Sequence, residues 1–235
     1  MSIHSKFLIH WTGHDFDNSS DIIDDSIREK YVNRLKNDLK EGFYINPGTE
    51  RIDVQNNTSI AATISRVCLS EVRLSQARVH ATKYGKLGIG VNREFIIERK
   101  GNPVFYIQSG DTGVIAQNCA NLREFIDKNC HDQLKYFEII LAYLKNMSDT
   151  DDSKYDFYEE MEWRVTHLEE LVPEYITVQD SKNYIYRLKL KAEDIRIVVF
   201  PDEETKKRAL KDRYIDDFFK DYMPQIATLT DCGNF

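Results

Sequence analysis

Ile3, Phe7, Leu8, Ile9 and Trp11 cluster and partly alternate near the start of the chain, which predicts a short strand over 6–11, broken by Thr12-Gly13. A polar, acidic stretch over 15–25 reads as a loop. Ile27, Tyr31, Leu35 and Leu39 then recur at four-residue steps and predict an amphipathic helix over 24–40, stopped by Gly42. A short strand over 43–45 and a turn at Asn46-Pro47-Gly48 are expected next, and residues 49–62 are polar and resist placement.

Further strands are expected over 64–72, carrying Cys68, and over 87–91, where Leu87-Gly88-Ile89-Gly90-Val91 alternates apolar residues with glycine. That alternation suits a strand with a close backbone approach on one face. Between them, 75–83 reads as a helix with Ser75 as a candidate N-cap. A short helix over 93–98, a strand over 104–108 and one or two helices within 117–145 follow, the last carrying Leu122, Phe125, Ile126, Leu134, Phe137, Ile140, Leu141 and Leu144. Residues 148–154 form an acidic loop, strands are expected over 184–190 and 195–200, and a charged helix over 202–222 follows Pro201. With no internal repeat, no linker and no regular βαβ rhythm, the pattern favours an α+β fold in one domain, 1–235.

The segment 155–172 admits two readings. As a strand, it sets Glu160, Glu162 and Arg164 on one face and Met161, Trp163 and Val165 on the other, so two carboxylates share a pocket wall. As a helix, Tyr158, Met161, Val165, Leu168 and Val172 form a core stripe and the carboxylate pair disappears. A helix ending near Glu160 that leads into a strand from Glu162 reconciles the two and leaves only Glu162 well placed.

Composition narrows the function classes. In 235 residues, 41% are hydrophobic and 11% aromatic, enough for a packed core. The longest apolar runs fall far short of a membrane span, and the opening residues lack a secretory signal, so a soluble cytoplasmic protein is expected. The net charge of −7 argues against a general nucleic-acid binder. The basic run Lys206, Lys207, Arg208, Lys211 and Arg213 is either a solvated helix face or a local binding patch. Four cysteines without metal-ligand spacing read as free thiols, and no metal site is expected. P-loop, HExxH and GxSxG motifs are missing, and the glycines at 85, 88 and 90 do not make a dinucleotide turn.

Two constellations carry candidate chemistry besides the acidic segment. His10-Trp11-Thr12-Gly13 places an imidazole late in the first strand, either as a site residue or as a core histidine satisfied by the backbone. Tyr84-Gly85-Lys86-Leu87-Gly88 offers an aromatic beside glycines that leave room for a flat ligand or phosphate, or simply ends a helix.

The stretches FLIHWTG, LKEGFYI, VCLSEVRLSQARVHATKYGKLGIGV, GNPVFYI, EEMEWRV, DIRIVVFPDE and TLTDCGNF, in this order along nearly the whole chain, resemble the AbiGi family of abortive-infection (phage-resistance) proteins. The resemblance implies the antitoxin member of a two-gene phage-defence system, whose partner looks like a nucleotidyltransferase toxin. More distantly, a first-strand histidine, a helix and a late glutamate are similar to the layout of ADP-ribosyltransferase toxins. That likeness implies a split, mostly antiparallel sheet with added helices and NAD as substrate. It implies His10 as ribose contact, Trp11, Thr12 and Gly13 around the nicotinamide, Tyr84 as a stacking residue, Glu162 as catalytic acid and Glu160 as its helper toward an acceptor. A glutamate suits that chemistry because cleavage of the glycosidic bond of NAD builds oxocarbenium charge that a fixed carboxylate stabilises. Two functions are therefore expected in competition: an NAD-dependent effector modifying a nucleic acid or protein, and a non-catalytic antitoxin that binds a cognate toxin.

Overall fold

The computed structural model describes residues 7–16, 23–55, 58–71, 73–147, 157–180, 183 and 185–233. In chain order the elements are β1 (Phe7–Thr12), α1 (Asp25–Glu41), β2 (Phe43–Asp53), β3 (Ser59–Ser70), α2 (Ala77–Tyr84), β4 (Leu87–Asn92), α3 (Arg93–Glu98), β5 (Asn102–Pro103) and β6 (Phe105–Ile107). They continue with α4 (Val114–Asn129), α5 (Leu134–Leu141), β7 (Leu144–Asn146), β8 (Glu162–Thr166), β9 (Ile176–Asp180), β10 (Ile185–Leu188) and β11 (Ile195–Phe200). The chain closes with α6 (Glu203–Lys211), α7 (Arg213–Phe219), β12 (Gln225–Thr228) and α8 (Leu229–Cys232). The result is an α+β body.

Ten strands form one sheet in the order β12-β11-β4-β1-β3-β2-β10-β9, with β8 bridging β3 and β5. All its pairings are antiparallel except β11 with β12, and β6 and β7 make a separate parallel pair. The sheet is nearly divided at its centre. β1 pairs with β4 along its whole length, from Phe7↔Asn92 to Thr12↔Leu87, but meets β3 at the single rung Ile9↔Ser70. β3 then divides its partners, giving residues 59–66 to β2 and residues 66–70 to β8.

Period-two alternation assigns each half of β1, β4 and β11 to a face. Leu8, Ile89, Val198 and Phe200 pack beneath α1, whose buried stripe is Ile27, Tyr31, Leu35 and Leu39. Ile9, Trp11, Ile197 and Val199 pack on the other face against Ala77 and Ala81 of α2 and Cys232 of α8. The glycines of β4 permit that second layer: a Cβ on Gly90 would stand 2.4 Å from Ile197, and one on Gly88 2.9 Å from Trp11. A third cluster, with Ile52, Ile60, Ile107, Phe137 and Leu141, lies where α4 and α5 cover β2 and β3.

Helix α1, the Gly42 stop, α3 and β11 lie where the pattern predicts, and Asp24 caps α1 rather than lying inside it. Other segments differ. β2 runs straight through Asn46-Pro47-Gly48, which is not a turn. Pro47 sits beyond the last β10 rung, Tyr186↔Ile45, where β2 has an open edge that tolerates a residue without an N–H. Within the polar stretch 49–62, residues 49–53 belong to β2 and 59–62 to β3, polar because both strands there are half exposed. Ser75 does not cap a helix: a 3₁₀ turn over Leu74–Gln76 precedes α2. The segment 117–145 holds α4, α5 and then β7. The final charged helix is two, because the Asp212 side chain accepts the N–H groups of Tyr214 and Ile215 and starts α7 anew. β9, β12 and α8 have no counterpart in the pattern, and the acidic loop at 148–154 lies outside the described residues. No described helix is long and apolar enough to cross a membrane.

Candidate functional site

The division of the sheet creates the site. Past the rung Ile9↔Ser70, β1 and β3 part, and the imidazole of His10 enters the gap. His10 Nδ1 lies 2.9 Å from the Cys68 carbonyl, which can only accept, so Nδ1 carries the hydrogen. The ring rests 4.5 Å from that of Phe43 at the head of β2. Burial lowers the His10 pKa, with Arg34 adding to the effect against the Cys68 bond, so the ring is neutral at physiological pH. The backbone thus satisfies one ring nitrogen of His10, and the ring also lines the cavity beside it.

A cavity of about 350 Å³ opens beside it, with Trp11, Tyr84, Lys145, Glu160, Glu162 and Arg164 among its walls. The acidic segment reaches it as a 3₁₀ turn over Phe157–Glu160 followed by β8 from Glu162, the reconciled form of the two readings. Tyr158 and Met161 are exposed, so the helical core stripe is not formed. Met161 adopts φ +43°, a left-handed conformation that a side chain of its size rarely takes, and it carries the chain from turn to strand.

Both carboxylates are buried, and both are held. Arg164 donates from Nε to Glu162 Oε1 at 2.7 Å and from Nη2 to Oε2 at 3.1 Å. Lys145 Nζ bridges Glu162 Oε2 at 2.9 Å and Glu160 Oε2 at 2.7 Å. Glu160 Oε1 accepts from Lys83 at 3.0 Å and from the Tyr84 hydroxyl. Arg164 Nη2 also lies 2.8 Å from Glu50 Oε2, which Arg66 reaches at 3.1 Å. Among the described residues, three carboxylates thus meet four cations in one network.

The electrostatics follow from these pairings. Burial works to raise Glu162, but Arg164 and then Lys145 overcome it and hold the carboxyl well below the usual range. Glu160 is lowered in the same way, burial being outweighed by Lys145 and the Tyr84 hydrogen bond. Lys145 and Arg164 are raised because their carboxylates outweigh their own desolvation. Burial, with Glu162 nearby, pushes the Cys68 thiol up to about 12, so it is not a nucleophile.

Of the residues singled out in the sequence, His10, Trp11, Tyr84, Glu160 and Glu162 line this cavity together. Thr12 and Gly13 do not. They face a second cavity of about 700 Å³ on the far side of His10 and Trp11, where Thr12 Oγ1 accepts from Arg34 at 2.8 Å. That second cavity contains Asp38, whose Oδ2 has no hydrogen-bond partner among the described residues. A larger depression of about 840 Å³ around Arg99 is lined by five cations and five carboxylates and presents no net charge to a ligand.

Sequence reasoning missed Lys145, Glu50 and Arg66. Lys145 fell inside a segment read as helix, and the other two lie in or beside strands whose alternation is masked by polar residues. The basic run on α6 is largely committed within the chain: Arg208 pairs with Asp25 and Glu204, and Lys206 with Glu203. All four cysteines are free, and among the described residues no three His, Cys, Asp or Glu side chains gather as a metal site.

No curated protein and no solved structure matches the chain. A family model does match, over residues 43–201, from the first residue of β2 to the proline after β11, a span that contains Glu50, Arg66, Lys145, Glu160, Glu162 and Arg164. The model is described as "Putative abortive phage resistance protein AbiGi, antitoxin", it covers more than half of the sequence, and the chain belongs to that family.

Proposed function

We propose that the protein is the antitoxin of an abortive-infection pair and acts by binding a cognate toxin, one of nucleotidyltransferase type. The family's description as antitoxin carries this reading. The network supports it: both oxygens of Glu162 accept from Arg164 and Lys145 inside the protein, as in a structural ion pair. A ribose hydroxyl would have to share the Glu162 oxygens with Arg164 and Lys145, whose charges already neutralise the carboxylate. Expression of the gene alone tests the reading. Cells carrying the antitoxin grow normally, and co-expression rescues them from the toxin. Growth arrest by this protein alone, abolished by Glu162→Gln, would overturn it.

A second reading keeps NAD as a ligand. It is favoured by one observation, the meeting of His10, Trp11, Tyr84, Glu160 and Glu162 on one cavity. In that reading His10 and Trp11 hold the cofactor, Tyr84 stacks on it, Glu162 acts on the glycosidic bond and Glu160 on the acceptor. Its test is nicotinamide release by the purified protein, lost in Glu162→Gln. The absence of both NAD binding and release leaves the antitoxin reading alone.

A further inference from the structure

Helix α4 is apolar on two sides, and the fold uses one. Ala116 is fully buried, and Cys119, Ala120 and Ile126 pack partly against the third core cluster. Val114, Leu122 and Phe125, at spacings of eight and three residues that keep them on another face, are 70%, 48% and 59% exposed. Helix α5 repeats the pattern: Phe137 and Leu141 are buried while Tyr136 and Ile140 are 56% and 57% exposed. The two helices contact each other and are joined by a short 3₁₀ turn at His131–Gln133, so the exposed stripes lie on one hairpin. Apolar periodicity at these positions is what a core demands, yet no core receives it.

We propose that this outer face of the α4–α5 hairpin is where the cognate toxin docks, an inference that rests on the antitoxin reading. The area fits. Phe125 and Tyr136 carry about 150–250 Å² each and the three aliphatic residues somewhat less, so at these exposures the five show roughly 500 Å² of largely apolar surface, the upper end of what a monomer shows. One side of a standard interface buries about 800 Å², a little under 60% of it apolar, which is the same amount. The charge fits a different protein better than a second copy. The chain carries −7, so a second copy is repelled and a net-basic partner is steered in. Lys128 pairs with Glu124 within the hairpin and Asp127 lies 2.7 Å from the His131 ring, which leaves the apolar stripe as the feature a partner reads. The hairpin also lies inside the family-matched span, whereas the basic run of α6 lies outside it. The occupant is therefore a net-basic toxin with an apolar groove that accepts Leu122 and Phe125.

The test co-expresses the full chain with the product of the adjoining gene of the defence pair and measures affinity and stoichiometry by co-purification and calorimetry. Leu122→Ser/Phe125→Ser is expected to weaken the complex at least about 100-fold while thermal unfolding and circular dichroism stay as in wild type. Because both side chains are exposed, the fold tolerates the change, and Phe125→Ala alone gives a milder second variant. An unchanged affinity in the double variant overturns the docking face and leaves the antitoxin reading intact. A wild-type protein that binds no partner overturns both. A wild-type dimer that the double variant dissolves, with partner affinity preserved, assigns the face to a second copy and overturns the proposal.

Discussion

Removing the guanidinium at Arg164 tests whether the charged network is a structural closure. Arg164 is 1% exposed and satisfies both oxygens of Glu162, one of Glu50 and the Ala142 carbonyl. Arg164→Met keeps much of the volume and deletes every one of these bonds. Breaking a buried pair by deleting one partner costs about 3–5 kcal/mol. Lys145 still faces Glu162 and Arg66 still faces Glu50, which favours the lower bound. The orphaned Ala142 carbonyl adds about 1 kcal/mol. The expected loss is about 4 kcal/mol at pH 7.5, or roughly 8–16 °C in Tm for a chain of this size.

The assay is urea unfolding followed by tryptophan fluorescence, with Trp11 buried and Trp163 bonded to Glu71 as reporters. In the wild type the Glu162 carboxyl is depressed, so its stabilisation is complete above its ordinary pKa and is lost only as pH falls below that. In Arg164→Met the burial that already opposes ionisation meets less resistance, the carboxyl protonates at higher pH, and the deficit narrows between pH 7.5 and 5. Glu162→Gln/Arg164→Met leaves no unmatched charge and is expected to be more stable than Arg164→Met alone. A single variant within 1 kcal/mol of wild type, or a deficit that does not change with pH, would refute the reasoning.

Three further outcomes are expected. Burial raises the Asp38 carboxyl to about 7 against the pull of Arg34 and Arg187, so the folded state holds its proton more tightly than the unfolded chain, and stability falls as pH rises from about 4 through 7. Asp38→Asn removes that slope and stabilises the protein at pH 8 by up to about 4 kcal/mol; an equal difference between variant and wild type at pH 5 and pH 8 in urea unfolding would contradict this. Gly85 ends α2 at φ +108°, and a Cβ there would stand 2.2 Å from the Thr12 carbonyl oxygen, so Gly85→Ala costs about 3 kcal/mol or more, read as a lowered Tm. Lys207→Glu/Lys211→Glu alters two exposed residues of α6 and is expected to leave stability within about 0.5 kcal/mol and partner affinity nearly unchanged; lost binding in a pull-down would return the basic run to the interface.

How far the sequence spoke depended on how one-sided each element is. Helix α1 buries one clean stripe between Asp24 and Gly42, so its period and both ends were readable. The strands β2 and β3 lie half exposed, and a half-exposed strand with Pro47 and Gly48 in it resembles a loop in sequence. β9 and β12 are sheet edges of few residues whose identity comes from neighbours far away in the chain. For the site, Glu162 and Arg164 were legible because a strand must put them on one face, whereas Glu160 arrives from the 3₁₀ turn before β8 through the left-handed Met161. Glu50 and Arg66 were not legible, because only the pairing of β3 with both β2 and β8 brings them there, and Lys145 was not, because it reaches the site on β7, a three-residue strand inside a segment with a helical apolar period. Leu122, Phe125 and Ile140 show the opposite error: a helical apolar period promised a core, and it faces solvent.

The network around Lys145 also bears on how the chain finds its fold. Its members come from β2, β3, α2, β7, the turn before β8, and β8 itself, so it cannot assemble until distant segments have all arrived. A one-residue slip of β8 along β3 would turn Glu162 and Arg164 to the opposite face and leave Lys145 and Glu50 buried without them. The nearest competing topologies are therefore penalised by stranded charge, whatever apolar surface they bury. On this account the cluster works as a checksum for strand register: it adds little to the depth of the native minimum, and it empties the minima beside it.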